Sequence, residues 1–262
     1  MKRKLGWVLI ICMVLMSAAR VRPPDGALPT GHDSSQETKT GNGQAHTPGQ
    51  ENQSTAKLLY MGQASIRITT AAGKVIYIDP YAGDGYEPAA DLILVTHHHY
   101  DHNSVDKVAQ RHPDCRIITW KEALANGQHQ KFDLGYCKVQ AVEAGNNRWH
   151  DVKQCVGYIV TLDNGVSVYV TGDTSKTDQM AALSREKIDY AFYCCDGVYN
   201  MDLDEAAECA NLVGARHNIP YHVLAQDGVY FDRARAERFE AENRLIVDEG
   251  EEIILESARG EK

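Results

Sequence analysis

After the apolar run Leu92-Ile93-Leu94-Val95 the chain reads Thr96-His97-His98-His99-Tyr100-Asp101-His102. A short apolar run of this kind predicts a buried strand, so an H-x-H-x-D-H cluster is delivered to a strand end. Residues two apart in extended backbone point the same way. His97 and His99 therefore converge on one metal, while Asp101 and His102, past the bend, address a second ion nearby. A dinuclear site needs further ligands, and they must lie at the ends of other strands to meet this loop. His150 precedes the predicted strand 156–162, Asp173 follows the predicted strand 166–171, and His222 closes Ile219-Pro220-Tyr221-His222. Asp173 has two carboxylate oxygens, enough to bridge two cations about 3.5–4 Å apart. His222 is favoured over His217, which falls at the predicted exit of a helix.

The rest of the chain from Lys57 supplies a scaffold of short apolar segments separated by turn signals. Strands are predicted at 58–60, 66–68, 75–78, 91–95, 115–119, 136–142, 156–162, 166–171, 188–194 and 219–223. Asp163-Asn164-Gly165 reads as a hairpin turn. Asn103 is placed to cap a helix through about Arg111, ending before Pro113, and further helices are predicted at 204–215 and 231–241. About 200 residues of mixed strands and helices point to two sheets with helices outside.

The first 56 residues differ in kind. Met1-Lys2-Arg3-Lys4 is a basic start, and 5–19 is an apolar run ending in Ser17-Ala18-Ala19, the pattern of a cleaved export signal. At 1.5 Å per residue such a run spans roughly 22 Å, short of the ~30 Å hydrocarbon core. Contact with a membrane is expected only through this segment, if it stays uncleaved. Residues 20–56 hold half of the eight prolines and no Phe, Trp or Tyr, so a disordered linker is expected there. The working domain is then 57–262, exported to the periplasm, cell surface or medium.

Composition narrows the partners. A formal charge of -9, with only cations among the charged residues of 1–19, argues against a nucleic-acid partner, which needs a basic surface. The expected partner is a small-molecule substrate. Seven cysteines show no CxxC pair; Cys194 and Cys195 are read as buried small hydrophobes. His98 and Tyr100 alternate with the ligands and are expected to pack or face solvent. Arg148 and Lys176 lie close in sequence to His150 and Asp173, where they either bind an anionic group or remain solvated surface charges.

With His97, His99, Asp101, His102, His150, Asp173 and His222 in this order, the chain from Lys57 onward resembles the metallo-β-lactamase-fold hydrolases. Met61-Gly62-Gln63-Ala64-Ser65, Ile78-Asp79-Pro80-Tyr81, Gly172-Asp173-Thr174, Tyr199-Asn200-Met201-Asp202 and Ile219-Pro220-Tyr221-His222 are similar to the branch that includes L-ascorbate-6-phosphate lactonase. The resemblance implies an α+β fold, a four-layer αβ/βα sandwich with metals at one edge of the two sheets. It implies His97, His99 and His150 on the first metal and Asp101, His102 and His222 on the second, with Asp173 bridging. Nitrogen and oxygen donors suit two divalent ions, Zn first and Mn or Fe as alternatives. The reaction implied is hydrolysis of an ester, lactone or related bond by a bridging hydroxide, with Asp101 as the catalytic carboxylate that orients it and passes a proton on. Two other readings use the same residues: a non-catalytic metal-binding surface protein, and a phosphodiesterase or nuclease on the same fold.

Overall fold

The computed structural model describes residues 55–224 and 228–257; the expected export signal and nearly all of the expected linker lie outside them. Two six-stranded sheets form the framework. The first has the order β12-β1-β2-β3-β4-β5, built from β1 (Lys57–Gly62), β2 (Ser65–Thr69), β3 (Val75–Ile78), β4 (Ala90–Val95), β5 (Arg111–Thr119) and β12 (Glu252–Ile254). The second runs β11-β10-β9-β8-β7-β6, from β6 (Lys131–Asp133), β7 (Cys137–Glu143), β8 (Val156–Leu162), β9 (Ser167–Val170), β10 (Tyr190–Cys194) and β11 (His217–Tyr221). In each sheet the pairing changes from antiparallel to parallel, at β3/β4 and at β9/β10. The C-terminal ends of β3 and β4, and of β9, β10 and β11, are where the site residues begin.

Side-chain alternation decides which face meets which layer. Leu58 and Tyr60, Ile66 and Ile68, Ile76 and Ile78, and Leu92 and Leu94 join Val139, Tyr158, Val160, Val168 and Val170 in the main core. Met61, Val75, Tyr77, Ile93 and Val95 instead meet Val105, Val108 and Tyr86 in a second cluster. β4 is buried at every position, as a strand covered on both faces must be. Across the main core the Tyr158 hydroxyl donates to the Val95 carbonyl at 3.0 Å, tying sheet to sheet.

Helices are few: α1 (Trp120–Ala123), α2 (Met180–Leu183), α3 (Leu203–Val213) and α4 (Arg233–Ala236). The longest among the described residues is α3, one residue from its predicted start. Asp202 caps it by accepting from Glu205 N at 2.9 Å, and Gly214 ends it in the left-handed region. Its buried positions Leu203, Ala206, Ala207, Ala210 and Val213 keep helical spacing.

The helix expected at 103–111 is absent. Only one 3-10 turn forms, Val105–Lys107. The Gln110 carbonyl is taken by Ala90 N at 3.0 Å, which draws the chain into β5 alongside β4. Arg111 donates from Nε to the Val108 carbonyl and from Nη2 to the Val105 carbonyl, both at 2.8 Å, satisfying groups that a longer helix would have paired. Pro113 is tolerated because β5 is an edge strand. The helix expected at 231–241 is likewise cut to α4, after which Arg244 Nη1 binds the carbonyls of Glu237 and Phe239. Among the described residues no helix is long and apolar enough to cross a membrane.

Candidate metal centre

Six of the seven proposed ligands follow a strand, and His150, expected at a strand end, lies instead in the middle of a loop. His97, His99, Asp101 and His102 follow β4, Asp173 follows β9, His222 follows β11, and His150 lies in the loop between β7 and β8. Gly172 lets Asp173 approach. Its φ is +63°, and a Cβ there would stand 2.8 Å from the Val156 carbonyl oxygen and 2.9 Å from Thr96 Cβ. Gln63 (φ 47), Asp79 (φ 46) and His222 (φ 46) also adopt left-handed backbone at three strand ends. Such conformations cost about 1–2 kcal/mol each for residues with a Cβ, and their gathering at one place marks a functional edge.

Three ring nitrogens face one point. His97 Nε2 lies 3.1 Å from His99 Nδ1, and His150 Nε2 lies 3.3 Å from the same atom. A second group is formed by Asp101, His102 and His222, with His102 Nε2 and His222 Nε2 each 3.9 Å from Asp101 Oδ2. Asp173 stands between the two groups. Its Oδ2 is 3.4 Å from His150 Nε2 and 3.9 Å from His97 Nε2, while its Oδ1 is 3.2 Å from His102 Nε2 and 3.7 Å from His222 Nε2. All seven residues singled out in the sequence are thus brought together. His217 is not among them: it opens β11 and stacks on Tyr190, ring centroids 4.8 Å apart.

Hydrogen bonds behind the rings turn their lone pairs inward. His102 Nδ1 donates to Asp79 Oδ2 at 2.8 Å. Thr96 Oγ1 donates to the same oxygen at 2.6 Å and faces His97 Nδ1 at 3.1 Å, so it accepts the proton there. Asp79, fully buried, therefore orients two rings, one directly and one through Thr96. Asn147 Oδ1 does the same for His150 Nδ1 at 3.2 Å. Gln63 Nε2 donates to Asp101 Oδ2 at 2.7 Å. Asp79, Asn147 and Gln63 were not picked out as site residues from the sequence. Asp79 and Gln63 carried one usable signal, a polar residue at the end of an apolar strand.

Burial and neighbouring charge set the protonation. Burial holds His97, His99 and His150 below the ordinary imidazole range, leaving neutral nitrogens able to bind a metal. Burial opposes charge on His102 too, but Asp173 and Asp79 outweigh it and hold this ring well above that range. Burial alone would raise the Asp173 carboxyl, yet His102 and His222 hold it well below the usual carboxylate values. His102 Nε2 and Asp173 Oδ1, though 3.2 Å apart, are not aligned as donor and acceptor. Both are buried without a hydrogen-bond partner. A cation taking the place of the His102 Nε2 proton would be held between this nitrogen and Asp173 Oδ1, and the N/O donor set suits Zn, Mn or Fe.

His99, Asp101, His150, Asp173 and His222 line a cavity of about 340 Å³. Of the two cations near the ligands in sequence, Lys176 pairs with Glu208 at 2.6 Å, and Arg148 lies over the Trp149 ring, 4.6 Å from its centroid.

Fold and site define a metal-dependent hydrolase. Residues 57–222 match the β-lactamase superfamily domain. A UPF0173 metal-dependent hydrolase from Thermococcus kodakarensis is 30% identical over 229 residues, covering 76% of this chain and 99% of that protein. The chain belongs to the metallo-β-lactamase superfamily. Two solved structures share the fold. Igni18, a metallo hydrolase from Ignicoccus hospitalis, aligns with a TM-score of 0.59 and 19% identity over 78% of this chain and 99% of its own. The metallo-β-lactamase fold protein YhfI from Bacillus subtilis aligns at 0.56 and 14% identity, over 76% and 99%.

Proposed function

We propose that the protein is a dinuclear hydrolase that cleaves an ester, lactone or related bond in a small molecule. The reading is carried by Asp173, whose two oxygens divide between His97 with His150 on one side and His102 with His222 on the other. His97, His99 and His150 would hold the first ion and Asp101, His102 and His222 the second, with Asp173 placed to serve both. Two divalent ions, zinc first, would supply a nucleophile near neutral pH and a Lewis acid for the scissile carbonyl oxygen. Asp101 reaches the cavity as a half-buried carboxylate, and it accepts the proton of the attacking water and passes it to the leaving group. Gln63 keeps that carboxylate aimed. A 340 Å³ cavity suits a small substrate.

Elemental analysis of metal-replete protein, followed by a panel of esters, lactones, phosphodiesters and β-lactams, tests the proposal. Close to two ions per chain with turnover of esters or lactones is expected; full activity with a single ion would overturn the dinuclear centre, and two ions without turnover would leave a metal-binding protein. Export through 1–19 is a separate proposal resting on sequence alone. N-terminal sequencing of secreted protein should begin near Arg20.

A further inference from the structure

Beside the proposed ligands, the cavity lining is aromatic. Trp149 and Tyr199 meet edge to face, with ring centroids 5.4 Å apart at 76°, and Tyr100 and Leu224 line the same space. The rings are 47%, 44% and 61% exposed, a concentration of large apolar surface that soluble proteins keep mainly for binding. Both members of the pair are held in place. Asn147 Oδ1 accepts from Trp149 N and His150 N, each at 2.9 Å, so the side chain that orients a proposed metal ligand also fixes the backbone that carries this ring. Asp196 is buried; its Oδ1 accepts from Val198 N and Tyr199 N at 2.7 Å and its Oδ2 from Asn200 Nδ2 at 2.7 Å. Arg235 anchors the same loop through the Asp196 carbonyl, also at 2.7 Å.

The charge pattern points the same way. Among the described residues lining the cavity there is no Lys or Arg. The polar end of a ligand is therefore served by the metal edge, and whatever extends outward meets rings. We propose that Trp149 and Tyr199 determine specificity, selecting small esters or lactones whose acyl side carries a flat aromatic group. The substrate class rests on the hydrolase reading above, while the recognition of an aromatic group stands on the wall itself. A planar ring presents an edge or a face to the Trp149–Tyr199 corner, where edge-to-face and offset contacts add to simple burial.

The test separates recognition from chemistry. Isothermal titration of zinc-loaded protein with 3-phenylpropanoate and 3-cyclohexylpropanoate compares a flat with a puckered ring on the same carboxylate. The phenyl compound should bind five- to tenfold more tightly, as one or two aromatic contacts supply. Trp149→Ala combined with Tyr199→Ala should bring that ratio to about one with zinc content unchanged, and Trp149→Phe should keep most of it. Equal binding of the two compounds, no binding of either, or a ratio that survives in the double variant would overturn the proposal. The methyl esters of the two acids give the second arm. A phenyl preference in binding without ester turnover supports aromatic recognition while removing the ester-cleaving reading; turnover of both esters at equal kcat/KM, with equal binding, removes the recognition and leaves the esterase.

Discussion

Asp79 Oδ2 and His102 Nδ1 lie 2.8 Å apart with both side chains fully buried, and the same oxygen reaches His97 through Thr96 Oγ1. A single carboxylate behind the metal edge thus orients one ring of each proposed ion site. Asp79→Asn keeps volume and tolerates the left-handed backbone of Asp79. It removes the charge and places an amide donor or a flipped, weaker acceptor against His102. Metal affinity should fall roughly 10- to 100-fold. Competition titration with a zinc chelator measures it, and unchanged affinity would show that Asp79 is only a strand-end residue.

Asp173→Asn removes one negative charge and one of the two bridging oxygens. Two cations then repel across a poorer screen and one ion should leave, since the first proposed set keeps only three imidazoles and the second a single carboxylate, Asp101. Metal content should drop towards one per chain and hydrolysis by orders of magnitude. His217→Ala, a ring stacked on Tyr190 outside the ligand cluster, serves as the control and should leave both nearly unchanged. Two ions and full rate in Asp173→Asn would refute the bridge.

Tyr158→Phe probes the scaffold instead. The hydroxyl donates to Val95 O at 3.0 Å and lies 3.4 Å from Ile118 O, linking β8 to the end of β4. Its loss removes a buried hydrogen bond between the sheets, at a cost of about 0.5–1.5 kcal/mol. Urea unfolding should show the loss while zinc stoichiometry stays the same.

Thiol chemistry should single out one cysteine of the described residues. Burial pushes Cys137, Cys155 and Cys209 up to about 12, and raises Cys194 and Cys195 as well. A thiol whose pKa is about 12 is thiolate at only about one part in ten thousand at pH 8, and the thiolate is the reactive form. Cys115 is also raised but half-buried at the edge strand. Iodoacetamide at pH 8 followed by peptide mass analysis should find Cys115 modified first and the other five only after denaturation. Early modification of Cys155, beside the metal edge, would contradict the packing there.

The ligands were legible because a metal demands specific donor types, and H-x-H-x-D-H places four of them within six residues. Asp173 and His222 could be found by asking which donors stand at strand ends, since strand length and apolar patterning are local properties; His150 could be found only as a histidine in the loop before a strand. The strands themselves followed from alternation and β-branched runs for the same reason. What lay beyond the sequence was settled by partners distant along the chain. Residues 103–111 have local helix signals, but pairing of Gln110 with Ala90 and capture of the Val105 and Val108 carbonyls by Arg111 replace the helix with a turn and an edge strand. Asp79 and Gln63 reach the loop after β4 from strands of its own sheet, Trp149 meets Tyr199 across two loops of the second sheet, and Asp173 reaches His102 only because both sheets end at one edge. Periodicity records which face of a strand is buried; only the stacking of the two sheets decides which side chains from separate strands come within hydrogen-bonding reach.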